Sequence, residues 1–242
     1  MKQGEMMTLR LPPLWVFMVT VFMAAAAIMT VTAANAQDMT ADEIVDNLNT
    51  TIENMNDARF MATGQFTDME GTSYDVAMEV EAIFAENIAR VTFMEPEEAA
   101  DNIVILDGDT IYNYLAMTNQ LMMMNTTDQD ALGGYFQNLN VETVSLDLGN
   151  LFEGWNATLL ESDEAEEGTY TLRFRSDAEE GLLAYVDARV EEVDGDWIPQ
   201  EMNFVGQDGM SIARLLIEDF EMNPGLDAET LRELPEDAEM LN

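Results

Sequence analysis

The sequence predicts an α+β chain that is mainly β: one large antiparallel sheet that curls, with helices on one face. A single amphipathic stripe near residue 41 reads as a helix, and about ten later stretches alternate apolar and polar residues with period two. Neither an internal repeat nor a linker rich in Pro, Gly or Ser divides the chain. A curled sheet with a helix across its mouth encloses an apolar cavity.

The helix comes first. In TADEIVDNLNTTIENMND, Thr40 and Glu43 form a capping box, and Ile44, Leu48, Ile52 and Met55 recur at spacings of four, four and three. This predicts a helix over roughly residues 41 to 55. The period then changes to two. Phe60, Ala62, Gly64 and Phe66 share one face of a strand, as do Tyr74, Val76, Met78 and Val80 of the next, with Glu70-Gly71-Thr72-Ser73 as the turn between them. Ala89, Val91 and Phe93 alternate with Ile88, Arg90 and Thr92. NIVIL meets TIYNYL through Asp107-Gly108-Asp109, a hairpin signal because glycine takes the positive φ of a tight turn. QLMMM supplies another strand. Residues 126 to 154 break the pattern, and Gly133-Gly134, Phe136, Leu139 and the run from Leu148 to Phe152 read as short helices or ordered loop. Strands resume at ATLLES, TYTLRFRS, LAYVDARVEEV, DWIPQEMNFV and SIARLLIEDFEM. A short helix from Asp227 to Glu233, then Pro235, closes the chain.

Ahead of all this, Lys2 and Arg10 precede an apolar stretch from Leu14 to Val31 that runs into Ala34-Asn35-Ala36. A charged region, a hydrophobic region and an A-x-A site predict a signal peptide over residues 1–36, cleaved to leave a single domain over residues 37–242. The alternative is an uncleaved anchor, since the apolar run approaches the ~18 residues of a spanning helix. An exported, soluble, monomeric protein is expected.

Residues 37–242 carry seven arginines, no lysine and 47 acids, a balance of −40. Such a chain lacks the clustered cations that hold phosphates, which excludes a nucleic-acid partner and disfavours anionic lipid headgroups. The acid excess with no lysine also fits a high-salt habitat. The whole chain has no histidine and no cysteine. That removes Ser-His-Asp and Cys-His nucleophiles, disulfides, and imidazole or thiolate metal sites. Carboxylate pairs suffice for glycoside cleavage, but among so many acids nearly any pair is a solvated surface pair, so no enzyme, catalytic residue or cofactor is expected.

The order of motifs resembles a known family. RVTFMEPEEAADNIVILDGDTIYNYLAMTNQ is similar to the core signature of the periplasmic lipoprotein carriers, the LolA-like family, with a strand ending at a Pro, a short acidic loop, an apolar strand, Asp-Gly and an aromatic-rich strand. The preceding helix and hairpin match in order, as do DWIPQEMNFVGQDGMSIARLLIEDFEMN and ELPEDAEML at the end, so the likeness covers most of residues 40 to 242. The resemblance implies a half-open antiparallel barrel with a helical lid. It further implies an exported periplasmic carrier that shields acyl chains of lipoproteins or lipids on the way to the outer membrane, served by membrane-bound donor and acceptor proteins. Carried over, Phe60, Val76, Met78, Val80, Val91, Phe93, Tyr112 and Tyr114 line the lipid site. Phe66 shares the face of Phe60, and Phe136 of the insert joins the expected lining. Two departures stand out. Ala85-Glu86 occupies the place of the Arg-Pro associated with lid closure, and Leu115-Ala116 replaces the corner proline. A lipid- or lipoprotein-sensing regulatory domain of the same fold is the alternative, and an acidic surface protein with no cavity is a third.

Of twenty methionines, fourteen follow residue 36. Methionine is unbranched and polarizable, so it conforms to ligands of variable shape, though it fills ordinary cores equally well. Strand alternation places Met122 and Met124 on one face, as candidate lining, and Met123 on the other. Three adjacent strand residues cannot converge on one copper(I) ion, so no metal is expected there. Asp107-Gly108-Asp109 and Asp194-Gly195-Asp196 lack the spaced ligands of a calcium loop and read as turns. Asn49-Thr50-Thr51, Asn125-Thr126-Thr127 and Asn156-Ala157-Thr158 match the glycosylation sequon, and Trp155 and Trp197 read as core or rim.

Overall fold

The structure, a computed structural model, describes residues 39–67, 71–125, 155–160, 168–176 and 183–241. The expected signal peptide, Phe136 and the irregular insert up to residue 154 lie outside the described residues.

Helix α1 (Ala41–Glu53) opens the described fold. Its capping box is present: Thr40 Oγ1 accepts from the Glu43 amide, and the Glu43 carboxylate accepts from the Thr40 amide at 2.8 Å. The predicted hairpins follow as β1 (Asp57–Thr67), β2 (Ser73–Ile83), β3 (Ile88–Glu95), β4 (Ile103–Asp107), β5 (Thr110–Leu115) and β6 (Gln120–Asn125). Beyond the insert come β7 (Trp155–Leu160), β8 (Thr169–Ser176), β9 (Leu183–Val193), β10 (Asp196–Gly206) and β11 (Ser211–Met222). A one-turn helix α2 (Ala228–Leu231) and a two-residue strand β12 (Glu239–Met240) end the fold. Of the two departures from the carrier pattern, Ala85-Glu86 lies in a short 3-10 turn, Phe84–Glu86, and Leu115-Ala116 spans the junction of β5 with a second, Ala116–Thr118. Each turn ends on an asparagine, Asn87 and Asn119, in the left-handed conformation that asparagine tolerates better than most residues.

All twelve strands form one sheet in the order β12-β6-β5-β4-β3-β2-β1-β11-β10-β9-β8-β7. The strand pairs are antiparallel except for β12 with β6. The sheet is curled but open, with β7 at one margin and β12 at the other. The first and last long strands of the meanders, β1 and β11, pair in the middle and join two halves that the chain builds separately. The architecture is the one the sequence predicts: mainly β, one open antiparallel sheet, and a helix over one face.

The two faces are covered differently. Helix α1 packs on the β7–β10 half, where the Trp197 amide donates to Thr51 Oγ1 at 2.8 Å in a buried contact. The opposite face of β3 to β6 is covered by the C-terminal segment, which crosses it as a strap. Leu226, Ala228, Leu231, Leu234 and Ala238 pack there on Ile83, Ile88, Ile103, Ile105, Tyr112, Tyr114 and Leu121. Polar anchors hold the strap at both ends. Asp57 Oδ1 accepts from the amides of Gly225 and Leu226, and Arg232 grips Asp107 with two bonds of 2.8 Å, with Glu86 3.9 Å away. Arg90 donates to the carbonyls of Leu231 and Glu233, where the end of α2 leaves them unpaired. Near its end the strap pairs with the outer edge of β6, which satisfies part of an otherwise open strand edge.

Candidate functional site

The face that carries α1 is apolar over most of its width, with Asn113 of β5 as a buried polar interruption. Residues directly opposite on paired strands share a face, so the registers spell out its rows. One row runs Phe60, Val80, Val91, Val104, Asn113 and Met122. A second runs Ala82, Ala89, Leu106, Ile111 and Met124. Across the β1–β11 seam, Leu215, Met202, Ala188, Leu172 and Leu159 form a third, and Ala213, Phe204, Val186, Phe174 and Ala157 a fourth. The upper side of this layer is α1, through Ile44, Val45 and Leu48.

Burial grades across the face. Val76, Met78, Val80, Val91 and Phe93 in the middle strands are buried, while Met124 near one margin and Trp155, Ala157 and Leu159 at the other are half-buried. The apolar surface that solvent or a ligand reaches therefore lies at the two sheet margins and at the half-buried Phe60 of central β1. Phe60 stacks on Phe220 with ring centroids 5.8 Å apart, and Tyr170 lies against Trp197 at 5.4 Å.

Most of the residues expected to line a lipid site are brought together here. Phe60, Phe66, Val76, Met78, Val80, Val91, Phe93, Met122 and Met124 all stand on the helix face. Tyr112 and Tyr114 do not: they belong to the opposite face, under the strap, where the Tyr114 hydroxyl donates to Asn119 Oδ1 at 3.0 Å. The reason is the period of two, since Ile111 and Asn113 take the helix-face positions of β5. Phe136 lies outside the described residues. The three consecutive methionines split as alternation requires, with Met123 on the strap face and 49% exposed.

Charge is sorted by face as sharply as polarity. Every basic residue after Arg10 is an arginine, and there are seven. Arg59, Arg90, Arg173, Arg175, Arg189 and Arg214 alternate with helix-face residues and so stand on the opposite face, and Arg232 is in the strap. Several are neutralised there: Arg59 by Glu81, with Glu79 and Glu221 near; Arg173 by Asp187 at 2.6 Å while lying over the Tyr185 ring; Arg214 by Glu201. The Arg232 guanidinium holds the Asp107 carboxyl below the usual carboxylate range, and burial pulls Arg90 below the usual arginine value. Among the described residues, no cation is directed to the helix face.

One polar group on the buried side of α1 was not anticipated. Asn49 follows Leu48, lies one turn after Val45, and is 4% exposed. Among the described residues, its Nδ2 is the buried side-chain polar atom without a hydrogen-bond partner. A buried donor left unpaired costs about 1–3 kcal/mol. In the sequence, Asn49 passes as the polar flank of an amphipathic stripe and as part of a sequon. Among the described residues no group of three or more Asp and Glu side chains is placed to hold a metal ion, and no helix is long and apolar enough to cross a membrane.

No family profile and no curated protein matches the chain. Solved structures do. An uncharacterized conserved protein from Thermus thermophilus superposes over 83% of this chain and 98% of its own, with a TM-score of 0.56 at 20% identity, and shares the fold. A LolA superfamily protein from Nitrosomonas europaea matches over 81% of this chain and 99% of its own, with a TM-score of 0.39 and 11% identity. MucA/MucB of Pseudomonas aeruginosa, a complex, matches over 76% of this chain and 58% of that one, at 0.43 and 8%. At TM-scores of this size the last two superpositions decide neither fold nor function.

Proposed function

We propose that residues 37–242 form an exported, non-enzymatic carrier domain of the periplasm that shields acyl chains of lipoproteins or lipids against the helix face of the sheet. Membrane-bound donor and acceptor proteins would load and unload it. The observation that carries this reading is the largely apolar surface on the α1 side of the sheet, mostly buried in its middle strands and half-open at both margins and at Phe60. Each CH₂ moved from water onto such a surface gains about 0.8 kcal/mol, so a chain of a dozen carbons supplies ample affinity without a single charged contact. The sequence resemblance to the lipoprotein carriers supports the same assignment.

Organic extraction of protein purified without detergent, followed by mass spectrometry, tests the reading. Co-purified acyl chains in near-stoichiometric amount are expected. An extract free of acyl chains, from protein that also fails to bind an uncharged fluorescent apolar probe, would overturn it and leave an acidic surface protein with an ordinary core.

A further inference from the structure

The geometry points to the chemical class of the ligand: an uncharged acyl ester or amide, whose carbonyl oxygen accepts a hydrogen bond from Asn49 Nδ2. This inference rests on the acyl-binding reading and makes it specific. Two independent observations carry it. The first is the sorting of charge. A fatty-acid carboxylate or a phosphate headgroup needs a cation when it leaves water, and all seven arginines stand on the opposite face or in the strap. No lysine or histidine exists after Lys2 to replace them. An anion drawn under α1 would be unpaired.

The second observation is Asn49 itself. It belongs to the buried side of α1, beside the Val45 and Leu48 that join the apolar layer, and its amide donor has no partner. Thr51, the other buried polar residue of this helix, is satisfied by the Trp197 amide. A donor without a partner fits a ligand that brings an acceptor. Among acyl-bearing molecules, an acceptor that stays uncharged is the carbonyl of an ester or amide, the linkage through which acyl chains are attached to glycerol or to an amine. Hydrocarbon, with no acceptor, leaves Asn49 unsatisfied, and a carboxylate brings an acceptor with a charge that nothing on this face balances.

The test uses the chain over residues 37–242 in 1 M sodium chloride, where the Debye length is about 3 Å and the protein's overall field no longer discriminates. Dodecanoate and its methyl ester compete with N-phenyl-1-naphthylamine, an uncharged apolar probe. The wild type is expected to bind the probe and to prefer the ester to the carboxylate by tenfold or more. Asn49→Leu should keep probe affinity within twofold while ester affinity falls about fivefold, the worth of one neutral hydrogen bond. The same variant should melt no lower than the wild type, because it removes an unpaired buried amide. Equal binding of ester and carboxylate, or ester affinity unchanged in Asn49→Leu, overturns the inference while the acyl-binding reading stands. Failure of the wild type to bind both probe and ester overturns the two together.

Discussion

Gly64 lies at the seam that joins the two halves of the sheet, and replacing it with alanine should nearly sever that seam. On β1 it faces Leu215 of β11, between Val76 on one side and Leu215 on the other. A Cβ built at Gly64 would sit 1.9 Å from the Arg214 carbonyl oxygen, 2.9 Å from its carbonyl carbon and 3.0 Å from Leu215 Cα. Ordinary contacts begin at 3.4 Å, so the two strands must part by about 1.5 Å locally, and the obstructing atoms are backbone that no rotamer change can move. A ladder bond of about 2.9 Å stretched that far is lost. Two such bonds at about 1–1.5 kcal/mol each, with about 1–3 kcal/mol for the disturbed packing around Val76 and Leu215, give a loss of about 3–6 kcal/mol. That is a large part of the 5–15 kcal/mol typical of a folded domain. Urea unfolding in molar salt, followed by circular dichroism and by the fluorescence of Trp155 and Trp197, should show a midpoint lowered by at least about 1 M. Gly71→Ala is the control: its Cβ meets nothing within 4 Å and only its φ of +82° opposes the change, at a cost of about 1–2 kcal/mol. A Gly64→Ala midpoint within about 0.3 M of the wild type would refute the argument.

Three further outcomes are expected. Melting temperature should rise from 10 mM to 1 M sodium chloride, because the Debye length shrinks from about 30 Å to about 3 Å and screens the repulsion among 47 acids and seven arginines; a flat or falling curve would contradict this. Leu231→Ala, at a strap residue 1% exposed, should cost about 2–5 kcal/mol in urea unfolding, and a cost below 1 kcal/mol would mean that the strap is not part of the cooperative core. The Asp107 carboxyl is held down by Arg232, so its stabilisation is complete above the ordinary aspartate value of about 3.9 and is lost as pH falls through the depressed folded value. Arg232→Ala should therefore melt below the wild type at pH 7 and converge with it in strong acid; a gap that persists there would place the role of Arg232 elsewhere.

The helix-face half of this fold was legible because it obeys one rule at a time. Period two in β1, β2 and β3 assigns a face to each residue, and Asp107-Gly108 fixes the register of the next hairpin. The strap face was harder to read. Ile88 alternates with Ala89 and reads as solvent-side, yet it is fully buried, as is Ile105. The signal was present in the unbroken run Ile103-Val104-Ile105-Leu106, since continuous apolar residues in a strand mean that both of its faces are covered. What covers the second face, the segment from Leu226 to Ala238, was legible as a short helix from Asp227 to Glu233 before Pro235, but nothing in so short and acidic a stretch says where it docks. Its docking depends on contacts over more than a hundred residues, such as Arg232 with Asp107. The same blind spot placed Tyr112 and Tyr114 with the wrong companions, because the aromatic content of TIYNYL is visible and its register is not. Asn49 was legible as a polar residue at the flank of a helix, but that its amide is buried without a partner is a fact of three dimensions.

The central claim, that acyl chains lie against the helix face, is tested most directly by mapping where one touches. A dodecanoyl ester carrying a terminal diazirine, bound to the chain over residues 37–242 in molar salt and photolysed, is expected to label α1 and the half-open helix-face residues Phe60, Met122, Met124, Trp155 and Leu159. Asn49→Leu should reduce that labelling. Labelling concentrated instead on Tyr112, Met123 or Leu234, on the strap side of the same strands, would contradict the account.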